Sequence, residues 1–126
     1  MALDDVEAWS LSRLGFLFYS RGRLAQAAAI FHGLLQLRPR GAYQWYALGL
    51  VRRDQGDFRG AVESLNQALS CDANLWPARV ALAELLRGQG YAQDAAAVLA
   101  PLVRSGDSST PAVRRGRALW RCWQRS

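Results

Sequence analysis

Trp45-Tyr46-Ala47-Leu48-Gly49, followed by Gly56 and then Ala61, is the stretch on which the fold of this chain turns. Its residues recur 34 positions away in both directions. Leu48 is matched by Leu14 and Leu82, and Gly49 by Gly15 and Ala83. Gly56 is matched by Gly22 and Gly90, and Ala61 by Ala27 and Ala95. Two more columns follow at the same interval, Phe31, Leu65 and Leu99, then Leu35, Leu69 and Val103. Six columns in register across three copies mark an internal repeat, and a period of roughly 20–50 residues belongs to stacked supersecondary units.

Each column has a physical reason. The small residue after the leucine (Gly15, Gly49, Ala83) permits a second helix to approach closely, and Ala27, Ala61 and Ala95 are its counterparts on that helix. Gly22, Gly56 and Gly90 fall where the first helix must stop, a place where glycine takes the left-handed conformation without a Cβ clash. The apolar residues of 24–31 and of 58–69 recur at helical spacing. Pro39 closes the first copy, because the residue before a proline avoids the helical region. Three helix–turn–helix units are expected, at about 8–41, 42–75 and 76–109.

This pattern resembles the tetratricopeptide (TPR) repeat, W-x2-L-G-x2-Y, then A-x3-F, then P. Trp45 to Gly49 matches its core literally, and the first copy supplies Leu14-Gly15-x-x-Phe18, Ala27-x3-Phe31 and Pro39. The third copy is the most degenerate, with Ala83 for the glycine and Asp107 for the proline. The resemblance implies an all-α, right-handed α-α superhelix, with residues 1–126 forming one domain. A stack of repeats leaves its last apolar face uncovered, so a cap is required. After the polar linker Arg104 to Ser109, Thr110 suits an N-cap and Pro111 the first helical position. Ala112, Gly116, Leu119, Trp120 and Trp123 then share one face, which predicts an amphipathic capping helix over 111–125.

Composition narrows the function. With 51% apolar and 21% charged residues the chain is globular in type. No apolar run reaches the roughly 18 residues of a membrane span, and the acidic start lacks the basic region of a secretory signal. Two cysteines, Cys71 and Cys122, make no disulfide scaffold, so a cytoplasmic protein is expected. Catalysis is not expected either. His32 is the sole histidine, and neither cysteine has a histidine near it in the pattern. Gly88-Gln89-Gly90 reads as a helix turn because no Lys-Ser/Thr follows it. Glu63, Glu84 and Asp94 have no partner acid, and no metal ligand set or cofactor site is in view.

The TPR resemblance implies a concave surface lined by the first helix of each repeat, where extended peptides bind. The matching positions are Trp9, Ser12, Phe16, Tyr19 and Ser20, then Tyr43, Tyr46, Leu50, Arg53 and Asp54, then Pro77, Val80, Glu84, Arg87 and Gly88. Five of the first ten are aromatic, which offers large contact area at low entropic cost. Rings packing among themselves are the plainer alternative for any one of them. Clamps for acidic C-terminal peptides resemble a cradle of Lys, Arg and Asn. This set has only Arg53 and Arg87, with Asp54 and Glu84 beside them, and so argues against such a clamp.

A narrower resemblance rests on Leu14-Gly15-Phe16-x-x-Tyr19-Ser20-x-Gly22, Ala27-x3-Phe31-x-x-Leu34, Leu48-Gly49 and Gly56-Asp57-Phe58-x-x-Ala61. These are similar to the small class II chaperones of bacterial type III secretion, which hold translocator proteins before export. The resemblance covers about 14–103 and implies that Phe16 and Tyr19 line the pocket, with Trp45 and Tyr46 as approximate counterparts in the second repeat. Those chaperones carry a longer N-terminal segment used in dimerisation, whereas seven residues precede the first repeat here, so monomer and dimer both stay open.

The net charge of +6 is unevenly spread. Residues 1–103 carry 10 Arg against nine acids, and residues 104–126 carry six Arg against one. Arg114, Arg115, Arg117, Arg121 and Arg125 form a secondary basic patch interleaved with Trp120 and Trp123. Cations with aromatics can bind nucleic acid or an anionic membrane surface, but the cap occupies the tryptophans and disfavours both. Two readings result: a secretion-type chaperone whose aromatic groove holds an extended apolar client segment, or a scaffold that docks a partner protein on the Arg-rich C-terminal face.

Overall fold

The computed structural model describes residues 3–105 and 109–125. Among them all regular structure is α-helical: α1 (Asp5–Ser20), α2 (Leu24–Leu37), α3 (Ala42–Asp54), α4 (Phe58–Cys71), α5 (Trp76–Gly88), α6 (Ala92–Arg104) and α7 (Pro111–Gln124). The expected helix pairs are present at the 34-residue spacing. Gly106, Asp107 and Ser108 of the polar linker, and with them the degenerate proline position, lie outside the described residues.

The turn inside each pair is built alike. Gly22, Gly56 and Gly90 have φ of 73°, 79° and 92°. In the first, the amide of Gly22 donates to Tyr19 O at 3.0 Å and that of Arg23 to Phe18 O at 2.9 Å. The same two bonds recur at Gly56–Arg53 with Asp57–Arg52, and at Gly90–Arg87 with Tyr91–Leu86. This double bond pattern satisfies carbonyls that the helix end would leave open. It also fixes the reversal of direction that lays the second helix on the first.

α1 starts three residues before the expected unit. Asp4 accepts from the amide of Glu7 at 2.8 Å, and Glu7 accepts from that of Asp4 at 3.2 Å. The Asp4-x-x-Glu7 spacing forms a reciprocal cap. Arg38 then fastens this end by donating to Leu3 O and Asp5 Oδ1, both at 2.8 Å.

The helices form two compact units, Met1–Asp72 and Ala73–Ser126. In the first, α1 packs on α2 and α3, α2 on α3, and α3 on α4. Phe31, Leu48, Val51 and Leu65 are fully enclosed there. A Cβ on Gly15 would lie 2.7 Å from the Phe31 ring, and one on Gly49 2.8 Å from Leu65. The small column therefore faces the large one within each helix pair, which is why both keep the same period.

In the second unit α7 packs on both α5 and α6. Thr110 Oγ1 accepts from the amide of Val113 at 3.3 Å and Pro111 opens the helix, as the sequence predicts. Gly116 sits against Leu102, its absent Cβ leaving room for that side chain. Leu119, Trp120 and Trp123 cover the core of Val80, Ala83, Ala95, Leu99 and Leu102. Val113, which the sequence reading omits from the covering face, is fully buried in the same cluster.

Candidate functional site

The aromatic positions of the first unit come together on α1 and α3. Phe16 stands edge-on to the buried Phe31, with ring centroids 5.2 Å apart. Tyr43 approaches Phe16 at 5.8 Å and Tyr46 at 5.6 Å. Trp9 continues the row, with Arg13 stacked on its ring at 4.8 Å. Trp9, Phe16 and Tyr43 line an open hollow of about 330 Å³ together with Ser12, Arg13, Arg38 and Gln44. Phe16 and Tyr46 are half-buried, whereas Trp9 is 60% and Tyr43 51% exposed. The last two rings thus spend their area on solvent. Ser12 is buried and accepts from Gln44 Nε2 at 3.1 Å, so it joins α1 to α3 rather than offering a free hydroxyl.

The other end of the same helices is polar. Tyr19 donates its hydroxyl to Asp54 Oδ2 at 2.6 Å, Arg53 Nε donates to Asp54 Oδ1 at 2.9 Å, and Arg53 Nη2 donates to Tyr19 Oη at 3.3 Å. Burial first, then the Asp54 carboxylate, raises the Tyr19 phenol above its ordinary value against the opposing charge of Arg53. Partial burial alone would raise the Asp54 carboxyl, but the bonds from Arg53 and Tyr19 and the Arg53 charge bring it below the usual carboxylate range. Burial also raises the Tyr46 phenol. Leu50 lies half-buried on α3.

Two expectations of the sequence meet a different geometry. Val80 is 5% exposed and packs in the core under α7, so it presents almost no surface. Glu84 is held by Arg115 through two bonds of 2.9 and 2.8 Å, and Arg87 lies over the Trp123 ring at 5.1 Å. The third repeat's groove positions are thus engaged by the capping helix. Trp45, aligned with Tyr46 as a pocket ring, lies on another side of α3. Its indole donates to Pro39 O at 2.9 Å, and it borders a separate hollow of about 510 Å³ with His32, Leu35, Arg52 and Ser64. Neighbours on a helix point about 100° apart, so only one of two adjacent rings can face the groove.

Arg13, Arg38 and Gln44 enter the hollow without having been singled out in the sequence. Arg13 is four residues from Trp9, the spacing that stacks side chains on a helix face, and this was its available signal. Among the described residues no group of three or more His, Cys, Asp or Glu could hold a metal ion. Cys71 and Cys122 are free thiols. No helix among the described residues is long and apolar enough to cross a membrane.

Antiparallel helix pairs at a 34-residue period, closed by glycine turns and by small residues set against large ones, define a helical-repeat protein. The chain belongs to the tetratricopeptide repeat family, whose profile matches residues 52–119, more than half of its length. Its fold is similar to that of the Yersinia enterocolitica type III secretion translocator chaperone SycD, with a TM-score of 0.86 and 19% identity over 94% of this chain and 91% of that one. PcrH, solved in complex with the chaperone binding region of PopB, gives 0.82 and 24% over 92% and 96%. Yeast Tom70 gives 0.76 and 20% over 96% of this chain and 26% of its own. No curated protein sequence matches the chain.

Proposed function

We propose that this TPR protein is a non-catalytic, cytoplasmic chaperone of a type III secretion-like system. In this reading the α1–α3 face holds an extended apolar segment of a client protein. The observation that carries the reading is the pair of exposed rings, Trp9 and Tyr43, over a hollow that the core does not need. Alternate apolar side chains of an extended segment would seat against Trp9, Phe16, Tyr43 and Tyr46. The Tyr19–Asp54–Arg53 cluster would offer hydrogen-bonding groups to its backbone where the ring row ends. The fold neighbours support a peptide client: SycD has been solved with a peptide of the translocator YopD, and PcrH with a segment of PopB.

The test is a pull-down from the native host with the wild-type chain and a Trp9→Ala, Tyr43→Ala variant. Exposed rings can be removed with little effect on folding, so helicity should be unchanged while an exported, membrane-active partner is lost. Arg114→Gln, Arg121→Gln, Arg125→Gln should keep that partner. A partner that survives the ring variant and leaves with the arginines would overturn the groove reading in favour of docking on α7.

A further inference from the structure

The arginines of α7 form a row that the cap does not account for. At about 100° per residue, Arg114, Arg121 and Arg125 fall within about 40° of one another, with Arg117 about 60° to one side. Val113, Gly116, Leu119, Trp120 and Trp123 occupy the opposite arc and are buried or half-buried. Arg114, Arg121 and Arg125 are exposed, and among the described residues no ion pair reaches any of the four. Arg115, turned toward α5, is the one that Glu84 neutralises. α7 itself contains no acid.

The charge on α7 is of one sign along its whole length. No acid within the helix offsets Arg114 and Arg115, its fourth and fifth residues. Arg115 is offset by Glu84; among the described residues Arg114 donates only to Ser109 O, at 3.4 Å. A surface under no demand but solubility would intersperse the two signs.

We propose that this row docks an acidic amphipathic helix of a partner protein, independently of the groove. The guanidinium-bearing positions advance about 5 Å per turn and span about 16 Å, and carboxylates at i, i+3, i+7 and i+11 of a facing helix repeat the same advance. Side chains on one face of an extended strand repeat at about 6.7 Å and would drift out of step over that length. The indoles of Trp120 and Trp123 are turned into the unit's core, so the row has no stacking platform for bases and no apolar wedge for lipid. Each guanidinium of the row can capture a carboxylate bidentately.

Fluorescence anisotropy on the full chain tests this with three probes. They are a labelled helical peptide bearing Glu at i, i+3, i+7 and i+11, a peptide of the same composition with the glutamates scrambled, and a short RNA duplex. Vesicles of mixed phosphatidylserine and phosphatidylcholine are added in a sedimentation arm. The registered peptide should bind about tenfold more tightly than the scrambled one, and weaken at least several-fold between about 50 and 200 mM salt. Arg114→Gln, Arg121→Gln, Arg125→Gln should abolish binding with helicity intact, and the Lys triple variant should lose most of the preference for register. The Trp9→Ala, Tyr43→Ala chain should bind the peptide like wild type, which separates this site from the groove. Equal binding of the two peptides, or tighter binding of duplex or vesicles than of the registered peptide, overturns the proposal.

Discussion

Gly15 and Gly49 occupy the same column but face different neighbours, and the difference sets what each tolerates. Alanine gains about 1 kcal/mol of helix propensity over glycine, while overfilling a packed site costs about 1–3 kcal/mol. At Gly15 the new Cβ meets the Phe31 ring, itself pinned edge-on by Phe16, so Gly15→Ala should lower the urea midpoint. At Gly49 it meets Cγ and Cδ2 of the enclosed Leu65, but a leucine can change rotamer where a ring cannot shorten, and the third repeat already sets Ala83 in the column facing Leu99, so Gly49→Ala should cost less than Gly15→Ala. A neutral Gly15→Ala would show that Phe31 can retreat. Tyr19 and Asp54 make stability depend on pH at both ends. The Asp54 carboxyl is lowered on folding, so its contribution is present above the ordinary carboxylate range and is lost as pH falls through the folded value. The Tyr19 phenol is raised, so its contribution is present below about pH 10 and is lost as pH rises through the folded value. Thermal melts of Tyr19→Phe should therefore show a flatter alkaline limb than wild type, and an unchanged limb would remove the phenol from the account.

The helix pairs were legible because their demands repeat. A turn that needs φ near 73–92° admits glycine at small cost, and a close helix approach admits only Gly or Ala, so both leave columns in the sequence. Single-copy features were harder to read. The reciprocal cap Asp4–Glu7 and the buried Val113 occur once, with no second copy to lift them above background. Pro101 inside α6 is another case. It has no amide to donate to Ala97 O and crowds that turn, and Arg79 of α5 reaches across to donate to the adjacent Val98 O at 3.0 Å and to Ala73 O at 2.9 Å. Partial burial lowers the pKa of that guanidinium below its ordinary value. Arg79→Ala should cost about 1 kcal/mol through the lost bond to the part-buried Val98 O, and less in a Pro101→Ala background, where that turn is no longer crowded by the ring. Equal cost in both backgrounds would uncouple the arginine from the proline. Ending the chain after Ser109 would strip the cover from Leu102 and Val80, and should abolish cooperative unfolding of residues 73–109 while residues 3–72 still melt.

At the scale of the whole molecule the two candidate surfaces differ in chemistry: Trp9 and Tyr43 expose rings on α1 and α3 of the first unit, and Arg114, Arg121 and Arg125 expose charge along α7 of the second. The grouping of the candidate residues was legible to the extent that repeat positions dictate direction, which brings Trp9, Phe16, Tyr43 and Tyr46 onto one face of α1 and α3. It failed where a neighbour outside the repeat pattern intervened, as α7 did at Val80, Glu84 and Arg87. The matching of small column to large column bears also on how such chains can recombine. Gly15 with Phe31, Gly49 with Leu65 and Ala83 with Leu99 each fill one gap by a different division of volume. A crossover within a turn glycine that joined α5 to the helix bearing Phe31 would set an aromatic ring against Ala83 and overfill the gap. One that exchanged whole hairpins, cut between the helix pairs, would keep every division intact. The natural unit of inheritance in this chain, and of grafting in a designed chimera, is therefore the glycine-closed hairpin and not the single helix.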